Sequence, residues 1–419
     1  MKTIVQAILA LCLVVSTTAS IAQTVVKVMS YNTLNFPFGT MPNRQDTLKK
    51  VLNYSKPDLL LLQEVRTSQG LNLILNQACN ELPGTYAAAT FIANQSGFGG
   101  NNDLQQCLIY NTEVFGLDEE YTIETDLRDI NVYKLFFAED ALETGGDTTF
   151  VYVYNTHFKA GSEPSDANDR TDMAEIAVNA LAQLPANSYI LFGGDFNLQN
   201  SSEPAYQLLL SGGGANTLGD PIDAPGNWGA SSYPFKEHHT QATRANQIFN
   251  DGVGGGLDDR FDFILVSNVM KTAASPVRYS FGSYKALGNN GTCFNQNITD
   301  CAGSINDVPL DILRAMYFFS DHLPVVMELE LDFALTRTEL EKTSPLIIVT
   351  SAGIQLAGSQ PNMYRIEIID MNGRLVDEAI LNTGETHSTG HLAAGYYIAR
   401  VVDANNGGEL TRQKLSIWR

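Results

Sequence analysis

The sequence predicts an α/β protein, two packed β-sheets flanked by helices, with a small all-β sandwich at its C-terminal end. Three observations carry this prediction. Residues 24–331 alternate β-like and helix-like segments, the pattern of packed sheets whose connections include outer helices. The composition then shifts at 333–345, "FALTRTELEKTSP", a linker-like stretch. Beyond it the periodic segments all alternate with period two, as strands do. With 419 residues and 44% hydrophobic side chains, the chain is long enough for both parts to bury a core.

The elements follow in order. Residues 1–22 read as a signal peptide: Lys2 supplies the positive start, "IVQAILALCLVV" (4–15) the apolar core, and "SIA" a small-residue cleavage site before Gln23. That core is too short for a membrane span, which needs roughly 20 apolar residues. No later stretch reads as transmembrane. Strands are expected at 25–32, 57–65, 107–111, 134–139, 150–158, 189–197 and 260–267. "VVMELE" (325–330) adds a half-buried strand. Helical spacing appears in "RQDTLKKVLNYS" (44–55), with Leu48, Val51 and Leu52 on one face, and in "RTDMAEIAVNALAQL" (170–184). In the tail, 364–380 reads as a hairpin around Asn372-Gly373, followed by strands at 395–403 and 412–417. The tail shows no clustered acids or histidines in the sequence, and no chemistry is read in it.

Cys12 leaves with the signal, so Cys79, Cys107, Cys293 and Cys301 remain. In an oxidising compartment an even number suggests two disulfides, with Cys293–Cys301 and Cys79–Cys107 favoured by proximity in sequence. The net charge is −20, and the segment after 332 is nearly neutral, so the acidity lies in the α/β part. Such a surface repels phosphate polyanions at long range and argues against a passive nucleic-acid-binding module. It leaves room for an enzyme that meets an anionic substrate through divalent cations. The Gly-rich loops at 211–220 and 251–259 lack the Lys and Ser/Thr of a phosphate-binding loop.

Polar residues interrupt the ends of the apolar runs: Asn32, Glu64, His157, Asp195, Asn197, Asp262, Asp321 and His322. Singly, each reads as a turn cap or a solvated strand end. Together they are side chains that strand-end loops can project into one cleft. Glu64 with Asn32, and Asp321 or Asp195, offers hard oxygen ligands for Mg²⁺ or Ca²⁺. The two histidines, with Asp262 to orient one, offer a general base and a phosphate-stabilising donor. Metal, histidine and carboxylate together point to phosphoester hydrolysis. The adjacent His238 and His239 point apart on an extended chain and read as a loop pair.

"SYNTLN", "PDLLLLQEV", "YNTHFKAG", "LFGGDFN", "DDRFDFILVS" and "SDHLPVV" stand in the order seen in the endonuclease/exonuclease/phosphatase superfamily. Residues 25–331 resemble that group, which includes pancreatic-type deoxyribonucleases, abasic-site repair nucleases, neutral sphingomyelinases and inositol-polyphosphate 5-phosphatases. The resemblance implies a four-layer α/β sandwich and a domain over 23–332. It implies Glu64 as principal metal ligand beside Asn32, with Asp321 as a second metal-site acid. Asp195 and Asn197 would orient the nucleophile and bind phosphate. His322 would be the base, Asp262 its partner carboxylate, and His157 a further catalytic residue of the deoxyribonuclease-like and sphingomyelinase-like members. Arg128, in "TDLRDINVY", and Arg244, in "HHTQATR", are candidate phosphate contacts. The implied cofactor is Mg²⁺, with Mn²⁺ or Ca²⁺ as alternatives.

The segment 346–419 resembles the sorting domains of the bacterial type IX secretion system, through "IEIIDMNGRLV", "HLAAGYYIARV" and "QKLSIW". A clear Asn-Pro start before these pieces is missing. This resemblance implies the type IX machinery as a partner and release from, or attachment to, the outer surface of a bacterium. A monomeric, secreted nuclease acting on DNA or RNA is therefore expected. The alternatives are a sphingomyelinase-like phosphodiesterase acting on lipid and, more remotely, a catalytically silent surface-binding protein. An inositol-phosphate phosphatase fits less well, because that family's Pro-Ala-Trp-Cys-Asp-Arg motif is replaced by "LDDRFDF".

Overall fold

The computed structural model describes residues 24–39, 41–80, 85–96, 104–138, 149–232, 234–248, 251–300, 307–332, 346–350, 353–357, 363–370, 374–403 and 409–417. The expected signal (1–22), the linker (333–345) and Cys301 lie outside them.

The α/β part contains thirteen strands among the described residues. They are β1 (Thr24–Phe36), β2 (Leu59–Val65), β3 (Tyr86–Ala88), β4 (Gln105–Asn111), β5 (Phe115–Ile123), β6 (Ile130–Phe137) and β7 (Phe150–His157). After these come β8 (Tyr189–Asp195), β9 (Leu218–Gly219), β10 (Asp262–Ser267), β11 (Val277–Tyr279), β12 (Lys285–Ala286) and β13 (Val325–Leu331). Its α-helices are α1 (Arg44–Ser55), α2 (Ser68–Leu73), α3 (Pro164–Leu181), α4 (Pro204–Ser211) and α5 (Leu310–Phe319).

One sheet runs β11-β13-β1-β2-β4-β3, with β12 also on β13, and the other runs β5-β6-β7-β8-β10-β9. Both are mixed: β1 and β2 pair parallel, as do β7 and β8, and the other pairings are antiparallel.

Side-chain alternation explains the layering. On β1, Val26 and Val28 enter a core shared with Leu61, Val153, Leu191 and Ile264, the faces where the sheets meet. Met29 and Tyr31 point the other way, onto Leu48, Leu52, Leu313 and Met316 of α1 and α5. On the second sheet's outer face, Tyr154, Phe192 and Phe263 pack on Met173, Ala177 and Leu209 of α3 and α4. The result is helices, sheet, sheet, helices: a four-layer α/β sandwich.

α1 matches its expected bounds. α3 begins earlier than the apolar spacing suggested. Pro164 fits the first helical turn, where its missing N–H costs nothing, and Asp166 accepts the Glu163 backbone N–H. α5 was not anticipated: "LDILRAMYFF" buries Ile312, Leu313, Ala315, Met316 and Phe319 at helical spacing. It delivers the chain directly to Asp321 and His322.

The Cys79–Cys107 disulfide is not formed. Both are free, buried thiols in the apolar core beneath α1, where burial pushes Cys79 up to about 12 and Cys107 up as well. The thiolate that oxidation requires is thus suppressed. Cys293 is buried.

The tail forms two antiparallel sheets. One is β14 (Leu346–Thr350), β15 (Gly353–Ala357) and β18 (Thr386–His387). The other is β16 (Met363–Asp370), β17 (Leu375–Asn382), β19 (Gly395–Asp403) and β20 (Glu409–Ile417), in the order β17-β16-β19-β20. Ile354 and Leu356 of the first share a core with Ile366, Ile368 and Val401 of the second. Contrary to the sequence reading, Asp377, His387 and His391 converge in this part.

Candidate active site

The inward-facing rows change character as they approach one end of the sandwich. Val28, Leu61, Val153, Leu191 and Ile264 are apolar. One step on come Ser30, Gln63, Asn155 and Gly193. Here the Gln63 side chain donates to Ser30 and to Asn155 Oδ1, and Asn155 donates to the Leu62 and Cys107 carbonyls. One further step brings Asn32, His157, Asp195 and, on antiparallel β10, Asp262. The site is where the inner faces run out of apolar side chains, over a neutral hydrogen-bonded floor.

Glu64 would not join this row by alternation. Leu60 and Leu62 face the helices, and Glu64 should follow them. Its backbone instead takes φ 61°, the β1/β2 register shifts between Asn32 and Phe36, and the β2/β4 register shifts between Leu62 and Val65. This irregularity turns the carboxylate inward, a common use of a bulge beside a site. Asn32 Nδ2 donates to Glu64 Oε1 (3.1 Å), and the Asn35 N–H donates to Oε2 (2.9 Å). Arg44 clamps the same turn, donating to the Thr33, Leu34, Phe38 and Phe319 carbonyls.

Asp195 sits at the centre. It accepts from Asn32 Nδ2 (3.0 Å) and from the Asn197 N–H (3.1 Å). His157 Nε2 lies 3.5 Å and His322 Nε2 3.7 Å from its Oδ2. Gly194, before it, has φ 148°, and a Cβ there would stand 2.0 Å from the Thr156 carbonyl oxygen, so glycine is required. Asn197 donates its side-chain amide to the Phe158 carbonyl.

Asp262 is fully buried opposite Asp195 and accepts from His322 Nδ1 at 2.8 Å. That bond leaves Nε2 of the neutral ring as the acceptor, and the Gln241 amide reaches it at 2.7 Å. Gln241 also reaches Asp321 Oδ2 (3.3 Å), which accepts the Val253 N–H (2.8 Å) as well. Gln241 has no motif around it in the sequence, and only the fold reveals it. Ser320 joins the parts, donating to the Asn32 carbonyl while accepting the His322 N–H.

The two arginines lie deeper than phosphate contacts on a surface would. Arg128 donates to the His157 and Phe158 carbonyls, which fixes the end of β7. Arg244 donates to the Tyr317 and Asp251 carbonyls. His239 is buried between the Trp228 and Leu257 carbonyls, away from the acids.

The electrostatics show an excess of buried negative charge. Burial, with Asp262 and Glu64 adding to it against His322, pushes Asp195 up to about 7. Burial and then Asp321 raise Glu64. His157 is held well below the imidazole range by burial, Arg128 and His322. His322 goes the other way: burial would lower it, but Asp262 and Asp195 carry it well above that range.

This is the environment a divalent cation would relieve. Donor atoms of Glu64, His157 and Asp195 lie within 4.8 Å of one another. Asp321 Oδ1 and Asp262 Oδ1 are buried without a partner. Hard carboxylate oxygens around uncompensated negative charge suit such an ion. Asp321 stands outside that three-residue cluster, on the side of His322.

A profile described as the Endonuclease/Exonuclease/phosphatase family matches residues 29–322. No curated protein matches. Among solved structures, TDP2 of D. rerio complexed with single strand DNA product is 13% identical, with 73% of this chain and 99% of that chain covered and a TM-score of 0.45. The catalytic domain of human Nocturnin with bound sulfate anion is 16% identical, over 74% and 97% of the two chains, with a TM-score of 0.44. A family protein from Bacteroides thetaiotaomicron is 17% identical, over 74% and 97%, also with a TM-score of 0.44. The matched profile takes in every strand end that feeds the cleft and closes on His322. The chain therefore belongs to the Endonuclease/Exonuclease/phosphatase family and is, like its members, a metal-dependent phosphoric ester hydrolase.

Proposed function

We propose that this protein is a secreted, divalent-metal-dependent nuclease that hydrolyses DNA or RNA through a His322-activated water. The observation that carries the proposal is the 2.8 Å bond from His322 Nδ1 to buried Asp262, which turns Nε2 toward Asp195 and the Asn32–Glu64 side of the cleft. A base is thereby fixed in one tautomer next to the carboxylates.

Glu64, with Asn32 beside it and Asp321 as a second acid, would hold Mg²⁺, with Mn²⁺ or Ca²⁺ as alternatives. When bound, the cation supplies charge neutralisation at the phosphate and at the leaving oxygen. Everything else falls to the chain's own residues. Once its ring is neutral and the Gln241 amide yields its place, His322 Nε2 takes a proton from water. Asp262 stabilises the imidazolium that results. Asp195 orients the water, while Asn197 and His157 contact the phosphate oxygens. The need for a cation also fits the charge of −20, which would otherwise hold a polyanion away.

A lipid phosphodiester is the second reading, and one observation bears on it. Phe281 is 95% exposed after β11. Tyr279 and Tyr284 around it are buried, and Ser280, Gly282 and Ser283 complete the turn. One exposed ring is a poor membrane-inserting tip, so the nuclease reading is preferred.

The test incubates the full chain with supercoiled plasmid, single-stranded RNA and sphingomyelin vesicles, each in Mg²⁺, in EDTA and with His322→Ala. Cleavage of a nucleic acid that needs both metal and His322 is expected. Release of phosphocholine with nucleic acids intact would replace the substrate and keep the site.

Export by the type IX route belongs to the same proposal. It rests on the tail motifs and the N-terminal leader pattern, and an exported protein beginning at Gln23 is its expected signature.

A further inference from the structure

The tail carries a side-chain cluster with no part in the cleft chemistry. His387 Nε2 lies 2.7 Å and His391 Nε2 2.9 Å from the same oxygen, Asp377 Oδ2. The donor atoms of all three lie within 4.8 Å of one another. The two rings stand at 75° with centroids 6.1 Å apart, so they approach the carboxylate from different directions.

The fold brings them together from two sheets. On β17, Leu381 and Ala379 face the tail's core, and alternation puts Asp377 on that same face. β17 is an edge strand of the four-stranded sheet. His387 ends β18, an edge strand of the three-stranded sheet, and His391 follows four residues later. An inward carboxylate on an edge strand can serve simply to discourage edge pairing. That explains Asp377 alone. It does not explain two imidazoles, one from the facing sheet, directed at a single oxygen.

We infer that Asp377, His387 and His391 form a site for a first-row divalent transition ion, with Zn²⁺ as the probe, that cross-links the two sheets of the tail. Two imidazole nitrogens and one carboxylate oxygen are a donor set zinc accepts, at about 2.0–2.2 Å per bond, with water in the fourth position. His391 is 55% exposed, so the ion has a way in. Hard, strongly hydrated Mg²⁺ is a poor match for two imidazoles, which distinguishes this site from the cleft.

The full chain, stripped with EDTA, is titrated with Zn²⁺. Bound zinc per chain and the thermal midpoint are compared for the parent, His391→Ala and Asp377→Asn. His391 lies largely in solvent, so His391→Ala should match the parent's midpoint in EDTA. Zinc should raise the parent's midpoint more than the variants'. Each variant should bind one zinc fewer, or bind it at least about 10-fold more weakly, with Mg²⁺-dependent hydrolysis unchanged. Equal zinc content and equal zinc-induced midpoint shifts in parent and variants would overturn the site. So would Co²⁺ binding in a Glu64→Gln background with no spectroscopic sign of imidazole coordination that His391→Ala removes.

Discussion

Asp262→Asn isolates the charge behind His322 with little change of shape. Asp262 is fully buried, one of its oxygens holds His322 Nδ1 at 2.8 Å, and the other has no partner. Asparagine can occupy the same space and still accept one bond. What it loses is the charge that stabilises the imidazolium and fixes the tautomer. A charge-assisted hydrogen bond is worth about 1.5–3 kcal/mol, and about 3 kcal/mol is roughly a 10²-fold rate effect. Loss of the tautomer extends this toward the ~10⁴-fold limit of general base catalysis. The expected fall in kcat is therefore about 10²–10⁴-fold, read from plasmid nicking at saturating Mg²⁺.

Stability gives a second readout with a defined sign. Asp262 and Asp195, outweighing burial, raise His322 in the folded state. Its contribution in the metal-free protein is thus fully present below the unfolded value, about 6.5, and is lost as pH rises through the folded value. In EDTA, Asp262→Asn should be less stable than the parent at pH 6 by about 3 kcal/mol, the low end for a broken buried pair, because Asp195 still faces the ring. The gap should close at alkaline pH. A variant within about threefold of the parent kcat, with no pH-dependent stability gap, would refute the role of Asp262.

Other parts of the structure are open to equally direct tests. Glu64→Gln should abolish Mg²⁺-dependent hydrolysis and any Mg²⁺-induced rise in the thermal midpoint, without lowering the midpoint in EDTA, because it removes a buried carboxylate already raised by its surroundings. Gly194→Ala, with its Cβ 2.0 Å from the Thr156 carbonyl oxygen, should destabilise by several kcal/mol, about 3 or more, and lower soluble yield. Cys79 and Cys107 should resist an aromatic disulfide reagent in the native protein and react once it is denatured; native-state labelling would contradict their burial. Burial and Asp258 raise Asp259 to about 6, so its folded form binds protons more readily than the unfolded chain and is disfavoured above that pH. Asp259→Asn should then stabilise on the order of 1 kcal/mol at pH 7.5, discounted for its partial exposure, and give no gain near pH 4.

The α/β architecture was legible because period and burial coincide. Leu48, Val51 and Leu52 mark α1 by spacing alone, and the apolar runs before Asn32, His157 and Asp195 mark strands that end at the cleft. The site was legible for a related reason: an acid or histidine at the end of a buried run must face a cavity or a partner. Glu64 does reach the cleft, but its direction was hidden, since alternation sends it toward the helices and only the left-handed backbone turns it in. α5 was missed because "MYFF" read as a bare apolar run, without the residues that begin the helix. Gln241 and Ser320 lay beyond reach, because nothing local to them depends on Asp321 or Asn32. Cys79 and Cys107 misled because proximity in sequence stood in for geometry. Asp377, His387 and His391 escaped because an edge-strand acid meets histidines only after two sheets have closed on each other.

The proposed mechanism stands or falls on His322, held by Asp262, as the base. Its most direct test is the single-turnover rate of His322→Ala on plasmid in Mg²⁺, with and without added imidazole. A loss of at least about 10²-fold is expected, partly restored by imidazole, with no cleavage by parent or variant in EDTA. A His322→Ala rate within tenfold of the parent would contradict it.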